Sequence, residues 1–332
     1  MKNQKRIVIT GAAGQDGLIL GNKLAIEGHT VIGIVKDASQ INIVNRYNSL
    51  IKAQTLDSHD KNAVKDFLND IQPEMIYHLS AKSSVANSWV EAESTLQTNV
   101  FHTLNWLSAL NELKMHEVRF FHASSSEMFG APKIYPQTEE TLLHPRSPYG
   151  VSKVAAHHLV VNFRESFGQF ASTGILFNHE SPLRDTKFVT RKITQGVALI
   201  VRGKSDSLTL GNMEISRDWG WAPDYVDGII SIANHSEPND FILATGKSHT
   251  LRDFVSESFK SVGILDWENY LKIDKSLIRP AEVVSVVGDS TNAHKVLGWS
   301  ASTPFQKMIE RMINFDLELI DSLPKKSLWK SE

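Results

Sequence analysis

The feature that most restricts the fold of this sequence lies near its amino terminus, where an apolar run passes through a glycine-rich turn into a helical pattern. Residues 6–11 read RIVITG, which is typical of a buried strand ending in glycine. Gly11, Gly14 and Gly17 follow at GxxGxxG spacing and precede an apolar-periodic segment. Because such a turn allows close backbone approach to a pyrophosphate and tight helix packing, the pattern predicts a dinucleotide-binding unit.

The same alternation of strand and helix continues through the first half of the chain and predicts a parallel sheet wound with right-handed crossovers. We therefore expect an α/β fold, a Rossmann-type doubly wound parallel sheet with a smaller C-terminal substrate-binding lobe. Residues 1–178 are expected mainly in the dinucleotide-binding domain and 179–332 mainly in that lobe, with some exchange of chain between them. Further strand patterns lie at 29–35, 51–57, 74–84, 118–125 and 169–182, and helical patterns at 61–70, 89–113, 289–299 and 304–320.

Composition removes several classes of function. The chain has no cysteine, which excludes disulfides, thiolate metal sites and cysteine nucleophiles, and its 13 histidines show no metal-ligand spacing. A net charge of −2 gives no reason to expect nucleic acid or an anionic membrane as partner. The amino terminus is too poor in apolar residues for a signal peptide, and no run approaches a membrane span, so we expect a cytoplasmic protein.

The stretch from 118 to 153 is the predicted reaction centre. An apolar run with aromatic residues ends at Ser125, and Glu127 follows, at the kind of strand end where open parallel sheets bind ligands. After Pro148 the helical spacing places Tyr149 and Lys153, four apart, on one face. A nearby ammonium favours the phenolate, so Lys153 is predicted to lower the pKa of Tyr149 from about 10. Alone, this spacing occurs by chance on many surface helices.

Charged residues elsewhere suggest how ligands are held. At the end of the second predicted strand, Lys36 suits a ribose 2′-phosphate and Asp37 a free 2′-hydroxyl, which leaves NADP and NAD both open. Polar clusters at 178–193, 216–226 and 278–283 contain cations that match phosphate oxygens, although each alone is more often a surface charge. Together they favour a diphosphate substrate. The cations are Arg191, Lys192, Arg217 and Arg279.

Taken together, these motifs resemble the extended short-chain dehydrogenase/reductases and, within them, the GDP-mannose 4,6-dehydratase family. The resemblance covers nearly the whole chain, and the NHESP, VTRKI and RDWG segments are specific to the dehydratases. The motifs are GAAGQDG (11–17), SSSEMFG (124–130), PRSPYGVSK (145–153), VVNFRE (160–165), ILFNHESP (175–182), FVTRKI (188–193), LGN (210–212), RDWGWAPDYV (217–226) and RPAEV (279–283).

The resemblance implies a lyase that converts GDP-D-mannose to GDP-4-keto-6-deoxy-D-mannose by internal hydride transfer through bound NADP(H). It assigns catalysis to Ser125, Glu127, Tyr149 and Lys153, with Ser125 where the family usually has threonine. Tyr149, aided by Lys153, is expected to take the 4-hydroxyl proton. Glu127 is expected to remove the proton of carbon 5 and to help the 6-hydroxyl leave as water, while Ser125 donates or accepts a hydrogen bond nearby.

The resemblance also implies two sets of binding residues and a homodimer or homotetramer. The cofactor set is Gly11, Gly14, Gln15, Asp16, Gly17, Lys36, Asp57, Leu79, Ser83, Tyr149, Lys153 and His179. The substrate set is Ser83, Glu127, Asn178, Val189, Lys192, Arg217, Arg279 and Glu282.

Two departures from the family pattern leave alternatives open. The family tends to carry two arginines where this chain has Lys36 and Asp37, while Ala38, Ser39 and Asn42 match the same loop. We therefore expect NADP first and NAD as possible, and either a tetramer or a dimer. The segment between Val262 and Arg279 is shorter than in many members, so dehydration of another GDP-hexose or heptose stays open.

Two rival functions remain. A nucleotide-sugar epimerase or 4-keto reductase of the same superfamily would share the glycine turn and the Tyr149–Lys153 pair, but it needs no base for carbon 5, and Glu127 discriminates against it. The remote alternative is a nucleotide-binding sensor without turnover. A complete catalytic set argues against a sensor, because such a protein has no chemical need for Tyr149, Lys153 and Glu127 together.

Overall fold

The structure is a computed structural model that describes residues 4–277, 283 and 285–322. Its strands are β1 (Arg6–Thr10), β2 (Thr30–Val35), β3 (Lys52–Thr55), β4 (Met75–His78), β5 (Arg119–Ser125), β6 (Ala171–Leu176), β7 (Asn178–Glu180), β8 (Leu208–Leu210), β9 (Ser216–Arg217), β10 (Trp219–Trp221), β11 (Asp240–Leu243), β12 (His249–Thr250), β13 (Leu271–Ile273) and β14 (Ser285–Val286). Its helices are α1 (Gln15–Ile26), α2 (Ala38–Tyr47), α3 (Lys61–Ile71), α4 (Ala92–Leu96), α5 (His102–Glu112), α6 (Pro148–Phe167), α7 (Val189–Val201), α8 (Ala222–Asn234), α9 (Leu251–Lys260), α10 (Thr291–Leu297) and α11 (Phe305–Ser322).

The centre of the fold is a seven-stranded sheet in the order β11-β6-β5-β4-β1-β2-β3, with every neighbouring pair parallel. The chain winds outward from β1 to β3 and then returns to place β4 on the other side of β1. Ligands of such sheets bind where the strand order reverses, beyond the carboxyl ends of β1 and β4. The predicted fold class, a Rossmann-type doubly wound sheet, is confirmed.

Apolar side chains cover both faces of this sheet and fill a separate core in the second half of the chain. One face packs α1 and α8 over β1 and β6, and the other packs α3, α5 and α6. The separate core joins α7, α9 and α11. The edge strand β11 comes from beyond residue 178, as does α8, which packs on α1 and β6. The division at 178 stays a prediction.

Two predicted elements are broken in the structure. The helix expected over 89–113 is interrupted by a π-helical turn, Gln97–Phe101. Within it, buried Asn99 donates to Ser152 Oγ at 2.9 Å and accepts from the Lys82 amide at 2.8 Å. The strand expected over 169–182 divides after Leu176, because the next residues leave the large sheet and pair with β10 as β7.

A third expectation is also corrected in length. The strand predicted over 74–84 ends at His78, and an irregular segment follows in which the Ser80 amide donates to Thr10 Oγ1 at 3.2 Å. Leu79 and Ser83 therefore lie on a loop beside the carboxyl end of β1. None of the helices within 4–277 and 285–322 is both long and apolar enough to cross a bilayer.

Candidate active site

The glycine turn after β1 has the backbone shape that a dinucleotide pyrophosphate requires. Gly11 has φ +71°, which favours glycine, and a Cβ there would lie 2.9 Å from the Ser80 backbone. A Cβ on Gly17 would lie 2.4 Å from the Gly11 carbonyl oxygen, so α1 packs directly on the turn. Gly14 is the N-cap of α1 and has no side chain to cover the first-turn amides. The cradle therefore fits a pyrophosphate at a helix amino terminus.

The next two residues of the first turn of α1 contact β7 and the residue that follows it. Gln15 Nε2 donates to the His179 carbonyl oxygen at 3.1 Å, and Ser181 Oγ donates to Gln15 Oε1 at 2.8 Å. Asp16 Oδ2 lies 2.9 Å from His179 Nε2. Gln15, Ser181 and His179 are buried. These side chains were predicted to hold cofactor, and the structure uses them to join the glycine turn to residues 179–181.

Asp16 and His179 form an ion pair with opposite pKa shifts. Burial alone would raise the pKa of Asp16, but the charge and hydrogen bond of His179 outweigh it and the pKa is lowered. Burial alone would lower the pKa of His179, but Asp16 outweighs it and the pKa is raised. The imidazole also stacks on the Tyr225 ring, with centroids 4.7 Å apart.

Ser125 and Glu127 lie at the carboxyl end of β5, where the chain turns into a short 3₁₀ helix. Ser125 is buried, and its Oγ accepts from the Glu127 amide at 3.2 Å. Ser147 caps α6 by accepting from the Gly150 amide at 3.0 Å, and Pro148 occupies the first turn. A Cβ on Gly150 would lie 2.7 Å from the Glu127 carbonyl oxygen. Glycine at this position therefore lets α6 bring Tyr149 up to the 3₁₀ turn.

Tyr149 is buried, and both the Ser125 side chain and the Glu127 charge act on its pKa, so three of the four predicted catalytic residues lie close to one another. Burial raises the pKa of Tyr149 to about 12, and the Ser125 hydrogen bond opposes this rise. The charges of Glu127 and Asp16 also raise that pKa, and the charge of Arg184 lowers it. The predicted lowering by Lys153 is therefore wrong for the protein alone, because desolvation of the phenolate dominates.

Lys153 lies one turn further along α6 and is also buried. Its Nζ donates to the Ala123 carbonyl oxygen at 2.8 Å, which ties the helix to β5. Burial lowers the pKa of Lys153 to about 8. The side chain therefore holds its proton less firmly than a surface lysine does.

Three of the other residues predicted to bind cofactor, Lys36, Asp57 and Ser83, are exposed. The Lys36 side chain is 83% exposed and reaches within 3.9 Å of Asp37. Asp37 is the N-cap of α2, and its Oδ1 accepts from the Ser39 amide at 3.0 Å and the Gln40 amide at 3.3 Å. Asp57 and Ser83 are exposed, and Leu79 is half-buried.

The predicted substrate residues lie on several elements of the second half. Asn178 begins β7 and pairs in register with Trp219, while Val189 begins α7 and Lys192 is exposed on the same helix. Arg217 is buried and donates to the Val283 carbonyl oxygen at 2.8 Å. Arg279 and Glu282 lie outside the described residues.

Arg191 differs from the other cations that were considered for phosphate. It is buried in the core of the second lobe, where it pairs with Asp316 of α11 and donates to Thr194 Oγ1 at 2.8 Å. Its guanidinium therefore holds α7 against α11, and the interpretation of Arg191 as a phosphate ligand is wrong.

Sequence reasoning missed Arg184, in the loop between β7 and α7. Its guanidinium lies over the Phe188 ring at 3.8 Å, and its Nε is 3.5 Å from Glu180 Oε2. Its charge acts on Tyr149, Asp16 and His179. The signal in the sequence was its place between the NHESP and FVTRKI motifs, within a cluster of which only the later cations were considered.

Comparison with known proteins agrees with the resemblance of the sequence motifs. A family model described as GDP-mannose 4,6 dehydratase matches residues 8–312. GDP-mannose 4,6 dehydratase 1 of Arabidopsis thaliana is 39% identical over an alignment 332 positions long, which covers 96% of this chain and 91% of the relative.

Two solved structures share the fold at low identity. RMD from Pseudomonas aeruginosa complexed with NADPH has a TM-score of 0.77 at 23% identity and covers 95% of this chain and 98% of its own. dTDP-glucose 4,6-dehydratase from Bacillus anthracis in complex with NAD has a TM-score of 0.82 at 16% identity and covers 96% and 98%.

Proposed function

The chain belongs to the GDP-mannose 4,6-dehydratase family, and from that premise we propose that it is a hydro-lyase that converts GDP-D-mannose to GDP-4-keto-6-deoxy-D-mannose. A nicotinamide dinucleotide, when bound, supplies a hydride acceptor and donor, so the reaction needs no net oxidant. The glycine turn of Gly11, Gly14 and Gly17 is the proposed seat of its pyrophosphate. The remaining chemistry is proton transfer, for which this chain offers the groups.

The observation that carries the proposal is the meeting of a phenol, a hydroxyl and a carboxylate at the carboxyl end of β5. The Ser125 side chain and the Glu127 charge both act on the pKa of Tyr149, and Ser125 Oγ accepts from the Glu127 amide. We assign Tyr149 to the proton of the 4-hydroxyl and Glu127 to the proton of carbon 5, which Glu127 returns to the departing 6-hydroxyl. Ser125 holds the phenol between them.

Tyr149 must lose its proton before it can act as a base. Some of its neighbours raise its pKa and others lower it. Burial and the Glu127 charge hold the phenol protonated, while Ser125 and Arg184 lower its pKa. Lys153, whose ammonium is bound to the Ala123 carbonyl, is proposed to place its charge on the ligand side of α6 when the site is filled. Protonation of Glu127 would remove one of the charges that oppose the phenolate.

Glu127 separates this function from that of an epimerase or ketone reductase with the same fold. Inversion at carbon 4 or reduction of a ketone moves hydride and the proton on oxygen 4, and neither reaction needs a base at carbon 5. In this chain a carboxylate residue follows Ser125 by two positions and acts on the same phenol. That placement supports elimination over epimerisation.

We propose NADP as the cofactor, with NAD as the alternative. Lys36 is exposed at the end of β2, where a 2′-phosphate of the adenosine ribose would be read. The Asp37 carboxylate is engaged in capping α2, so one of its oxygens already accepts two backbone amides. We further propose that Asp57 and Leu79 contact the cofactor and that Ser83 and Asn178 lie near the sugar or the nicotinamide. The residues proposed around the GDP are Val189, Lys192, Arg217, Arg279 and Glu282. A homodimer or homotetramer stays a prediction.

The test is incubation of the purified chain with GDP-mannose, with and without added NADP or NAD, followed by mass spectrometry of the sugar nucleotide. Loss of one water without a net change in nicotinamide absorbance is the expected result. The matched variant Glu127→Gln should abolish the loss of water while it leaves nucleotide binding intact.

Other outcomes each contradict a stated part of the proposal. Loss of water from another GDP-hexose or heptose, but not from GDP-mannose, would keep the reaction and replace the substrate. Sugar inversion or ketone reduction without loss of water would replace the dehydratase by the rival enzymes. Full turnover by the Glu127→Gln variant would remove Glu127 from its role.

A further inference from the structure

The Asp16–His179 pair connects the glycine turn with the second half of the chain, and its chemistry differs from that of an ordinary surface pair. Asp16 belongs to the first turn of α1, next to the turn proposed to hold the pyrophosphate, and His179 to β7, next to Asn178. The Asp16 and His179 side chains are 21% and 8% exposed. A contact here bears on both proposed ligand sites.

The partners of the His179 ring require a proton on both nitrogens. Nδ1 lies 2.7 Å from the Phe177 carbonyl oxygen, which only accepts, so Nδ1 donates. Nε2 lies 2.9 Å from Asp16 Oδ2, and an ionised carboxylate also only accepts. Both nitrogens donate at once only in the imidazolium. The geometry therefore describes a charged pair.

The same arrangement engages the side chains that were predicted to contact a cofactor. Both ring nitrogens of His179 bind protein oxygens, and Gln15 is occupied by the His179 carbonyl oxygen and the Ser181 hydroxyl. Asp16 Oδ1 accepts from Gln15 Nε2 at 3.1 Å. Asp16 and His179 can therefore position the turn without touching the dinucleotide.

We propose that Asp16 and His179 form a charged clamp that holds the glycine turn against β7, so that the dinucleotide is held tightly only while the His179 ring carries two protons. The proposal rests on the proposed function in taking a nicotinamide dinucleotide as the ligand of the turn. Loss of either ring proton removes the imidazolium charge that pairs with Asp16. The turn then loses its charged contact with β7, and the affinity for the dinucleotide falls.

Three side chains from other elements face the imidazole and set its titration. Asp16 of α1 raises its pKa, Arg184 of the following loop lowers it, and Tyr225 of α8 stacks on the ring. Tyr225 stays neutral, since burial raises its own pKa well above 10.0. On the same strand, the Glu180 carboxylate is engaged by Thr190 Oγ1 at 2.6 Å.

The direction of the pH effect follows from these shifts. The His179 pKa is raised above its ordinary 6.5. The stability that the imidazolium gives to the folded arrangement is therefore complete below pH 6.5 and is lost as the pH rises through the higher folded pKa. The Asp16 pKa is lowered below 3.8, so its contribution is complete above pH 3.8 and is lost only in stronger acid. The clamp therefore opens on the alkaline side.

The experiment measures NADPH binding to the full chain by cofactor fluorescence, without GDP-mannose, between about pH 6 and about pH 9. The wild type should lose about tenfold in affinity across this range, as expected for one charged hydrogen bond. His179→Gln and Asp16→Asn should bind about tenfold more weakly at the acid end and lose the tenfold fall, keeping only the part of the pH dependence that Lys153, with its pKa of about 8, gives to every variant. The double variant should match the single ones, because each removes the same contact.

Asp240→Asn is the matched control, since Asp240 also pairs with a cation, Arg164, and its side chain is 18% exposed. It lies in β11, away from the turn, and should keep the wild-type pH dependence. Thermal unfolding of each variant without cofactor shows whether it is folded. If His179→Gln does not fold, the wild-type titration decides, because affinity that is constant to the alkaline end overturns the clamp.

Two further results would also overturn the clamp. One is a His179→Gln variant that keeps the wild-type pH dependence. The other is weak binding by Asp16→Asn alone, which would make Asp16 a direct cofactor contact. Loss of water from GDP-mannose together with a wild-type NADPH affinity that does not change with pH would contradict the clamp and support the proposed function. If the chain bound neither NADPH nor NADH, both the clamp and the proposed function would be contradicted.

Discussion

Buried ionisable groups have different surroundings in the proposed reaction centre and in the separate core of α7, α9 and α11. At the reaction centre, Tyr149 and Lys153 are buried with their pKa values displaced, to about 12 and about 8. In the second lobe, Arg191 and Asp316 are buried as a pair that joins two helices. The pKa of Lys153 moves toward neutral pH and that of Tyr149 moves away from it, so the charge of each group depends on what enters the site, whereas a matched pair holds its charges in place. Burial alone therefore does not mark a functional residue.

The largest expected effect comes from removing the Tyr149 hydroxyl. Tyr149→Phe should lower kcat by about 10²–10⁴-fold, because the proton of the 4-hydroxyl loses its acceptor. Cofactor binding and thermal unfolding should change little. Tyr77→Phe is the control, since the buried Tyr77 hydroxyl has no hydrogen-bond partner within the described part of the chain. Equal turnover of Tyr149→Phe and wild type would place the base elsewhere.

The second effect tests the other side of the comparison. Asp316→Asn should lower the free energy of unfolding by about 3–5 kcal/mol, because it leaves the Arg191 charge buried without its partner. The KM for GDP-mannose and kcat should stay near wild-type values at a temperature where the variant is folded. Asp321 lies on α11 like Asp316 but forms an exposed pair with Arg202, which follows α7. Asp321→Asn should therefore destabilise the protein far less. A large change in kcat would connect this pair to the reaction after all.

A smaller effect is expected from Arg184, which lies in the loop between β7 and α7, outside both of the compared regions. Its charge lowers the pKa of Tyr149, so Arg184→Gln should raise that pKa. Since the base acts after losing its proton, the acid limb of the pH profile of kcat should move upward by about one unit. Arg202→Gln, a surface change, should leave the profile in place. An unchanged limb in Arg184→Gln would show that its charge does not reach the phenol.

The smallest effect concerns the adenosine end of the site. Asp37→Arg should shift the preference between NADP and NAD toward NADP by about tenfold, as for one charged hydrogen bond to the 2′-phosphate. Asp37→Asn keeps an oxygen to cap α2 and removes only the negative charge, so it should shift the preference in the same direction by less. Dissociation constants for both cofactors give the ratio. A shift toward NAD in either variant would contradict the assignment of this loop.

Much of the fold could be predicted because the relevant signals are local. The strand at 6–10, the glycine turn and α1 follow from apolar runs, turn chemistry and helical period, all within a few residues. The shared helical face of Tyr149 and Lys153 is likewise a matter of spacing. The catalytic residues could therefore be proposed before any contact was known.

Interruptions of these patterns were not predicted, because they depend on distant partners. The π turn at 97–101 contains Asn99, whose side chain bonds to Lys82 and Ser152. The break after Leu176 follows from pairing of the next residues with β10. Periodicity within a segment contains no information about either partner.

The amino-acid sequence by itself indicated the alternation of strands and helices in the first half, the glycine turn and the shared face of Tyr149 and Lys153, since covalent spacing and local propensity decide these, while resemblance to a family proposed the reacting groups. Only the tertiary structure decided the direction of each pKa shift and whether a cation such as Arg191 forms an internal ion pair. The pKa of Tyr149, the role of Arg191 and the pairing of Asp16 with His179 depend on desolvation and on charges brought from remote segments. Electrostatic free energy is set by distance and burial in the folded chain, and neither can be read from residue order.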